Sequence, residues 1–212
     1  MFHRLTPDLV IRPSWGLFRP RQGGPSLIME RGSVFPPRHP TTLLCLELLK
    51  LALGSRPGAL ILDVGCGTGI LALAALALGA SRGVAVDISG RAARQTRRNA
   101  VRNGWLPRLV VVKGSTECLR GPFDLILANL PWGVHLEKVE EFDRLAAGHG
   151  ILILAGFKDT QTEPLLLSYR QRGWLIEEER QRDGWVAEVP PEMSYTWVAW
   201  LLKRRSANKG LG

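Results

Sequence analysis

Two periods alternate along this chain, and their order predicts a layered α/β architecture. Short, nearly continuous apolar runs at residues 59–64, 83–86, 109–112, 123–128 and 150–155 read as strands buried on both faces. Between them apolar residues recur at helical spacing: over 70–78, where Gly79 is the stop, and over about 90–103, 136–147 and 161–172. The pattern predicts a Rossmann-like, doubly wound sheet, mostly parallel, with helices on both faces.

The two ends differ from this body. Prolines at 7, 13, 20, 25, 36, 37 and 40, with Gly23-Gly24, leave room in the first forty residues only for short strands. Residues 9–12 and 26–29 are predicted as a hairpin across the glycine turn. Thr41-Thr42 is expected to cap a helix over 43–53, with Gly54 as its stop. At the other end 174–180 alternates, Asp183-Gly184 offers a turn, and 195–202 is strongly β-prone, which predicts an antiparallel C-terminal strand pair. Residues 185–187 and 197–199 compete for the last strand. The expected organisation is an N-terminal extension over 1–40, one α/β domain over 41–205 and a disordered tail over 206–212.

Composition narrows the class. Hydrophobic residues make up 45% of the 212, enough for a sizeable core. No apolar stretch reaches the roughly eighteen residues that span a bilayer, and the first residues lack the apolar core of a signal peptide, so a cytoplasmic protein is expected. Cys45, Cys66 and Cys118 are far apart, and the four histidines have no ligand spacing, so neither a disulfide framework nor a metal is expected. The net charge of +9 favours an anionic partner. Arg91, Arg94, Arg98 and Arg102 share one stripe of their predicted helix, with Arg97 beside it. A solvated helix face and a nucleic-acid footprint both fit that stripe.

The chemistry concentrates where the first strand of the body ends: Asp63-Val64-Gly65-Cys66-Gly67-Thr68-Gly69. Such a turn lets backbone lie against a small molecule, because side chains would fill the space. The spacing departs from a dinucleotide fingerprint, since Ile70 stands where the third glycine would be needed. A second acid, Asp87, ends the next strand about eighteen residues past the turn, where a carboxylate can accept both hydroxyls of a ribose. These residues resemble the S-adenosylmethionine site of the class I methyltransferases. The resemblance implies that Asp63 serves the methionine ammonium, that Gly65 and Gly67 cover methionine and ribose, and that Asp87 grips the ribose. Cys66, Thr68, Gly69, Ile88 and Ser115 complete the implied cofactor pocket, together with Asn129.

Asn129-Leu130-Pro131-Trp132 follows the fourth strand of the body, beyond the carboxyl ends where ligands of open parallel sheets collect. The Asn129 side-chain carbonyl and the Leu130 backbone carbonyl are two acceptors for an amino group. Pro131 stiffens the turn, and Trp132 offers a flat face for stacking. The run resembles the Asn-Pro-Pro-Tyr loop of methyltransferases acting on exocyclic amines of bases and on glutamine amides, with Leu130 and Trp132 departing from it. An aliphatic ammonium would first have to lose a proton, and Asp124, His135 and Glu137 are the candidate bases.

A wider resemblance rests on Ile11-Arg12-Pro13-Ser14-Trp15, Val34-Phe35, His39-Pro40-Thr41-Thr42, the run from Leu44 to Leu49, Ala100 to Gly104, Ala155-Gly156-Phe157, and Glu177-Glu178-Glu179 with Trp185-Val186-Ala187. These are similar to the bacterial ribosomal-protein methyltransferases of the PrmA family. That implies S-adenosylmethionine-dependent methyl transfer to nitrogen, on an amine or amide of a ribosomal or other protein. Transfer to an exocyclic amine of RNA stays open, as does a non-catalytic, cofactor-binding partner subunit. In the family a loop matching residues 35–39 helps to cover the cofactor, and here it carries Pro36-Pro37-Arg38. Family members also carry a substrate-recognition domain before the catalytic body, and no such domain is expected within the residues before Thr41.

Overall fold

The computed structural model describes residues 3–7, 9–12, 25–30, 36–183 and 195–205. The expected turn at 23–24, Phe35 of the covering loop, the competing strand at 185–187 and the tail over 206–212 lie outside the described residues.

Three short strands open the chain: β1 (His3–Thr6), β2 (Leu9–Arg12) and β3 (Ser26–Ile28), in the order β1-β2-β3. The hairpin lies between β1 and β2. β3 runs parallel to β2, with Val10 opposite Ser26 and Ile11 opposite Leu27, so the expected antiparallel pairing is corrected. Thirteen residues separate Arg12 from Ser26, more than a tight turn needs and about what a parallel return requires.

Helix α1 (Pro40–Ser55) follows, and its cap differs from expectation. Pro40 holds the first helical position, for which its fixed φ is preorganised, and His39 is the cap residue. The His39 Nδ1 accepts from the Thr41 backbone N–H at 3.4 Å. Thr41 and Thr42 therefore sit inside the first turn, both buried.

The main body continues with β4 (Leu60–Val64), α2 (Ile70–Ala77), β5 (Arg82–Asp87), α3 (Gly90–Arg102), β6 (Leu109–Lys113), β7 (Phe123–Asn129), α4 (Trp132–Leu145), β8 (Ala146–Lys158), α5 (Thr162–Arg170), β9 (Trp174–Asp183) and β10 (Thr196–Arg204). The sheet order is β6-β5-β4-β7-β8-β10-β9. The first five strands are mutually parallel, and β10 lies antiparallel between β8 and β9. This is the expected doubly wound, mostly parallel arrangement, with the last described strand inserted beside the edge.

Two apolar layers hold helices to the sheet. Leu44, Leu48, Leu71, Leu73 and Ala100 place α1, α2 and α3 on one face. Phe142, Leu145, Leu165 and Tyr169 place α4 and α5 on the other, with Trp174 and Trp200 buried beneath them. α4 begins four residues earlier than its periodicity predicts, because Pro131 immediately precedes it at the cap position. It also ends earlier, and β8 starts at Ala146 rather than 150. Among the described residues no helix is long and apolar enough to cross a membrane, and no group of His, Cys, Asp and Glu could hold a metal.

Candidate active site

The glycine turn between β4 and α2 is a backbone structure fastened from two sides. Gly65, Gly67 and Gly69 have φ of 69°, 54° and 79°, the left-handed region that side chains disfavour. From the β5 side, the Gly65 and Cys66 N–H groups donate to the Val86 carbonyl at 2.9 and 3.1 Å, and the Gly67 N–H donates to Asp87 Oδ2 at 2.9 Å. From the α3 side, Thr96 Oγ1 donates to the Gly67 carbonyl at 3.1 Å and Asn99 Nδ2 donates to the Thr68 carbonyl at 2.9 Å. A Cβ on Gly69 would lie 2.7 Å from Thr96 Cγ2, so helix and turn are in close contact. A Cβ on Gly65 would collide with the Leu130 side chain, which reaches across from the end of β7.

Thr96 and Asn99 are functional supports that the sequence reading missed. The signal was present: Thr96, Asn99 and Asn103 recur at steps of three and four on the buried side of an otherwise arginine-rich helix. Asn99 and Asn103 also hold the N-terminal segment. Asn99 Oδ1 accepts the Glu30 N–H at 2.9 Å, while Asn103 accepts the Ile28 N–H at 2.9 Å and donates to the Ile28 carbonyl at 2.8 Å.

Two cavities meet at Gly65. The smaller, about 190 Å³, is lined by Asp63, Cys66, Gly67, Thr68, Asn129 and Thr42, among others. The larger, about 520 Å³, is lined by Asp87, Ile88, Ser115, Leu130, Pro131 and Glu137, among others. The structure thus brings together the turn, both acids and the Asn129 run, apart from Gly69, which lies behind the turn against Thr96, and Trp132. Trp132 lines neither cavity; it opens α4 and packs on the core, with its indole N–H buried and without a partner among the described residues. The two expected acceptors are also separated. Asn129 faces the smaller cavity, whereas the Leu130 carbonyl lies against Gly156. The Asn129 side chain makes no hydrogen bond among the described residues.

The candidate bases divide sharply. Asp124 lies at the start of β7, the far end of the sheet, where Oδ2 accepts the Leu60 N–H at 2.8 Å. His135 is fully buried, and burial pushes its pKa down to about 4, opposed by hydrogen bonds to the backbone of Ala155 and Leu130. Its Nε2 lies 2.8 Å from the Ala155 carbonyl, so the ring braces the Asn129–Leu130 corner. Glu137 alone of the three lines a cavity.

Polarity in the smaller cavity fits a cationic guest. Thr42 Oγ1 is buried without a partner among the described residues, beside the Asp63 carboxyl and the Asn129 amide. Burial raises the Asp63 pKa from 3.8 to about 7; the Ala72 N–H bonded to its Oδ2 opposes this, and the charge of Asp87 adds to it. Folding therefore prefers the protonated acid. Its stabilising contribution is full below about pH 4 and is lost as the pH rises through about 7. Thermal midpoints should accordingly fall between about pH 5 and 8, and Asp63→Asn should flatten that dependence. An unchanged profile in the variant would rule out Asp63 as its source. A cationic ligand should show the opposite trend, binding more tightly as Asp63 ionises.

Comparison with known proteins gives the geometry a family. Residues 3–190 match the family described as ribosomal protein L11 methyltransferase (PrmA). The ribosomal protein L11 methyltransferase of Pelotomaculum thermopropionicum is 37% identical over 181 residues, 84% of this chain and 58% of that protein. That of Syntrophotalea carbinolica is 35% identical over 184 residues, 86% of this chain and 60% of that protein. The chain thus spans about three fifths of the length of these curated relatives. A crystal structure of a ribosomal protein L11 methylase from Lactobacillus delbrueckii subsp. bulgaricus superposes with a TM-score of 0.81 at 25% identity, covering 96% of this chain and 98% of that one. The chain belongs to the ribosomal protein L11 methyltransferase (PrmA) family.

Proposed function

We propose that this chain is an S-adenosylmethionine-dependent methyltransferase that modifies a nitrogen of a ribosomal protein, and that it works in the cytoplasm. The observation carrying this reading is the smaller cavity, where a buried carboxyl, an unpartnered hydroxyl and a free amide line a bare glycine turn. S-adenosylmethionine, when bound, supplies a methyl group on a positively charged sulfur.

The chain's own residues bind and orient. Asp63 and Thr42 offer oxygen acceptors to the ammonium of the methionine end. Asp87 has one lone pair on each oxygen committed to a backbone N–H, of Gly67 and of Ser89, and accepts ribose hydroxyls with those that remain. Gly67 and Thr68 line the methionine cavity, and Ile88 and Ser115 line the neighbouring one. At the junction Asn129 accepts a hydrogen of the incoming amine and aims its lone pair, so that alignment contributes most of the acceleration. Glu137 is the carboxylate positioned to take a proton from an aliphatic ammonium.

Asn129→Ala should lower turnover about 10- to 100-fold while changing cofactor affinity little. Titration calorimetry with the cofactor, alongside label transfer into ribosomal protein and RNA fractions, measures both quantities. Label confined to RNA would move the acceptor to a base amine, as the Asn129-Leu130-Pro131-Trp132 run alone would allow. Cofactor binding with no label in either fraction would make the chain a non-catalytic partner.

A further inference from the structure

The methyl-transfer site leaves one strong feature unused, the charge on α3 and the adjacent edge strand β6. From Arg82 to Lys113 the chain carries eight cationic side chains and one carboxylate, Asp87, which the turn already engages. Arg91, Arg94, Arg98 and Arg102 run along about 16 Å of α3. Glu30 neutralises Arg98 and Arg102, at 2.9 and 3.5 Å, and Arg108 donates to the carbonyls of Ala80 and Ser81. Arg91, Arg94, Arg97 and Lys113 are exposed and have no acidic partner among the described residues.

Two of these cations are held together. A Cβ on Gly90 would lie 3.3 Å from Arg94 Nη1 and 3.4 Å from Lys113 Cδ, so both chains converge over the start of α3. That point adjoins Ile88 and Gly114, which line the larger cavity. The opposite sheet edge is built differently. There Arg172, Arg180, Arg182, Lys203 and Arg204 pair with Glu140, Glu178, Glu47, Glu177 and Asp143. The net positive charge is thus gathered on one side and cancelled on the other.

We propose that the face formed by Arg91, Arg94, Arg97 and Lys113 binds RNA through its phosphate backbone. Like charges repeated without interleaved acids match a polymer that carries one negative charge at every step, whereas protein interfaces are depleted of charge at their centres. Guanidinium forks also suit phosphate oxygens. Choosing RNA over DNA rests on the ribosomal acceptor proposed above, since such a protein meets the chain beside RNA. The face leads to the larger cavity, so bound RNA would lie next to the site without entering it.

Fluorescence anisotropy with labelled single-stranded and duplex RNA, across a salt series and without cofactor or ribosomal protein, tests this independently of methyl transfer. Affinity should fall log-linearly with salt, and R91Q/R94Q/R97Q should flatten that slope by about two. At roughly 0.1 M salt the triple variant should bind at least about tenfold more weakly. R180Q, on the opposite edge, should bind as the parent does, and circular dichroism should show both variants folded. An unchanged slope in a folded triple variant, duplex DNA bound more tightly than RNA, or polyglutamate competing as well as RNA would each overturn the proposal.

Discussion

Gly156→Ala should lower the thermal midpoint by about 6–12 °C and remove most activity at ordinary temperature. Gly156 has φ of 99°, and it is a bulge in β8: Phe157 pairs with Val198 and Ala155 with Ala199, leaving Gly156 between them. A Cβ there would lie 2.8 Å from the Leu130 carbonyl carbon and 3.0 Å from its nitrogen, and closer still to its oxygen. Backbone cannot swing aside as a side chain can. Forcing an L-residue into this conformation costs about 1–2 kcal/mol, and the overlap a similar amount or more. At about 2–4 °C per kcal/mol for a chain of this size, roughly 3 kcal/mol gives the stated shift. Activity should fall further than stability, because Leu130 donates to the Ala155 carbonyl at 2.9 Å and follows Asn129 directly. Circular dichroism melts together with turnover measure both. A variant melting with the parent would show that the corner relaxes and that the close approach is unimportant.

Asp87→Ala should weaken cofactor binding by about 100-fold or more. Its carboxylate holds the Gly67 N–H at 2.9 Å and the Ser89 N–H at 2.8 Å, so its removal costs the turn an anchor as well as costing the ribose its acceptors. Hydrogen bonds to a charged group contribute about 1.5–3 kcal/mol each, and two or more are lost at once. Asp87→Asn keeps one acceptor oxygen and should fall between the parent and Asp87→Ala. Calorimetric titration separates the three proteins. Affinity of Asp87→Ala within a few-fold of the parent would remove this residue from the binding account.

Much of this was legible because the strands are buried on both faces and so read as plain apolar runs. The turn was legible for a related reason: three glycines between an acid-ended strand and an apolar helix have few other uses. Direction and contact were harder to read. The parallel seating of β3 depends on thirteen intervening residues whose path no local pattern specifies. The early start of α4 shifted Trp132 from the mouth of the site into the core, because periodicity marks the buried face of a helix better than its first turn. Thr42 read as a cap residue and proved to line the cavity, since His39 took over the capping role. The Leu130 side chain over Gly65 is a contact between distant segments, invisible to any local rule.

Asn99 spends its two amide ends on different parts of the chain, the carbonyl of Thr68 and the N–H of Glu30. Order in either place is therefore not local. Whatever quiets the cofactor turn also quiets the strand that precedes α1, and whatever peels that strand away unfastens the turn. A partner grasping the amino-terminal segment would thereby hold a handle on catalysis.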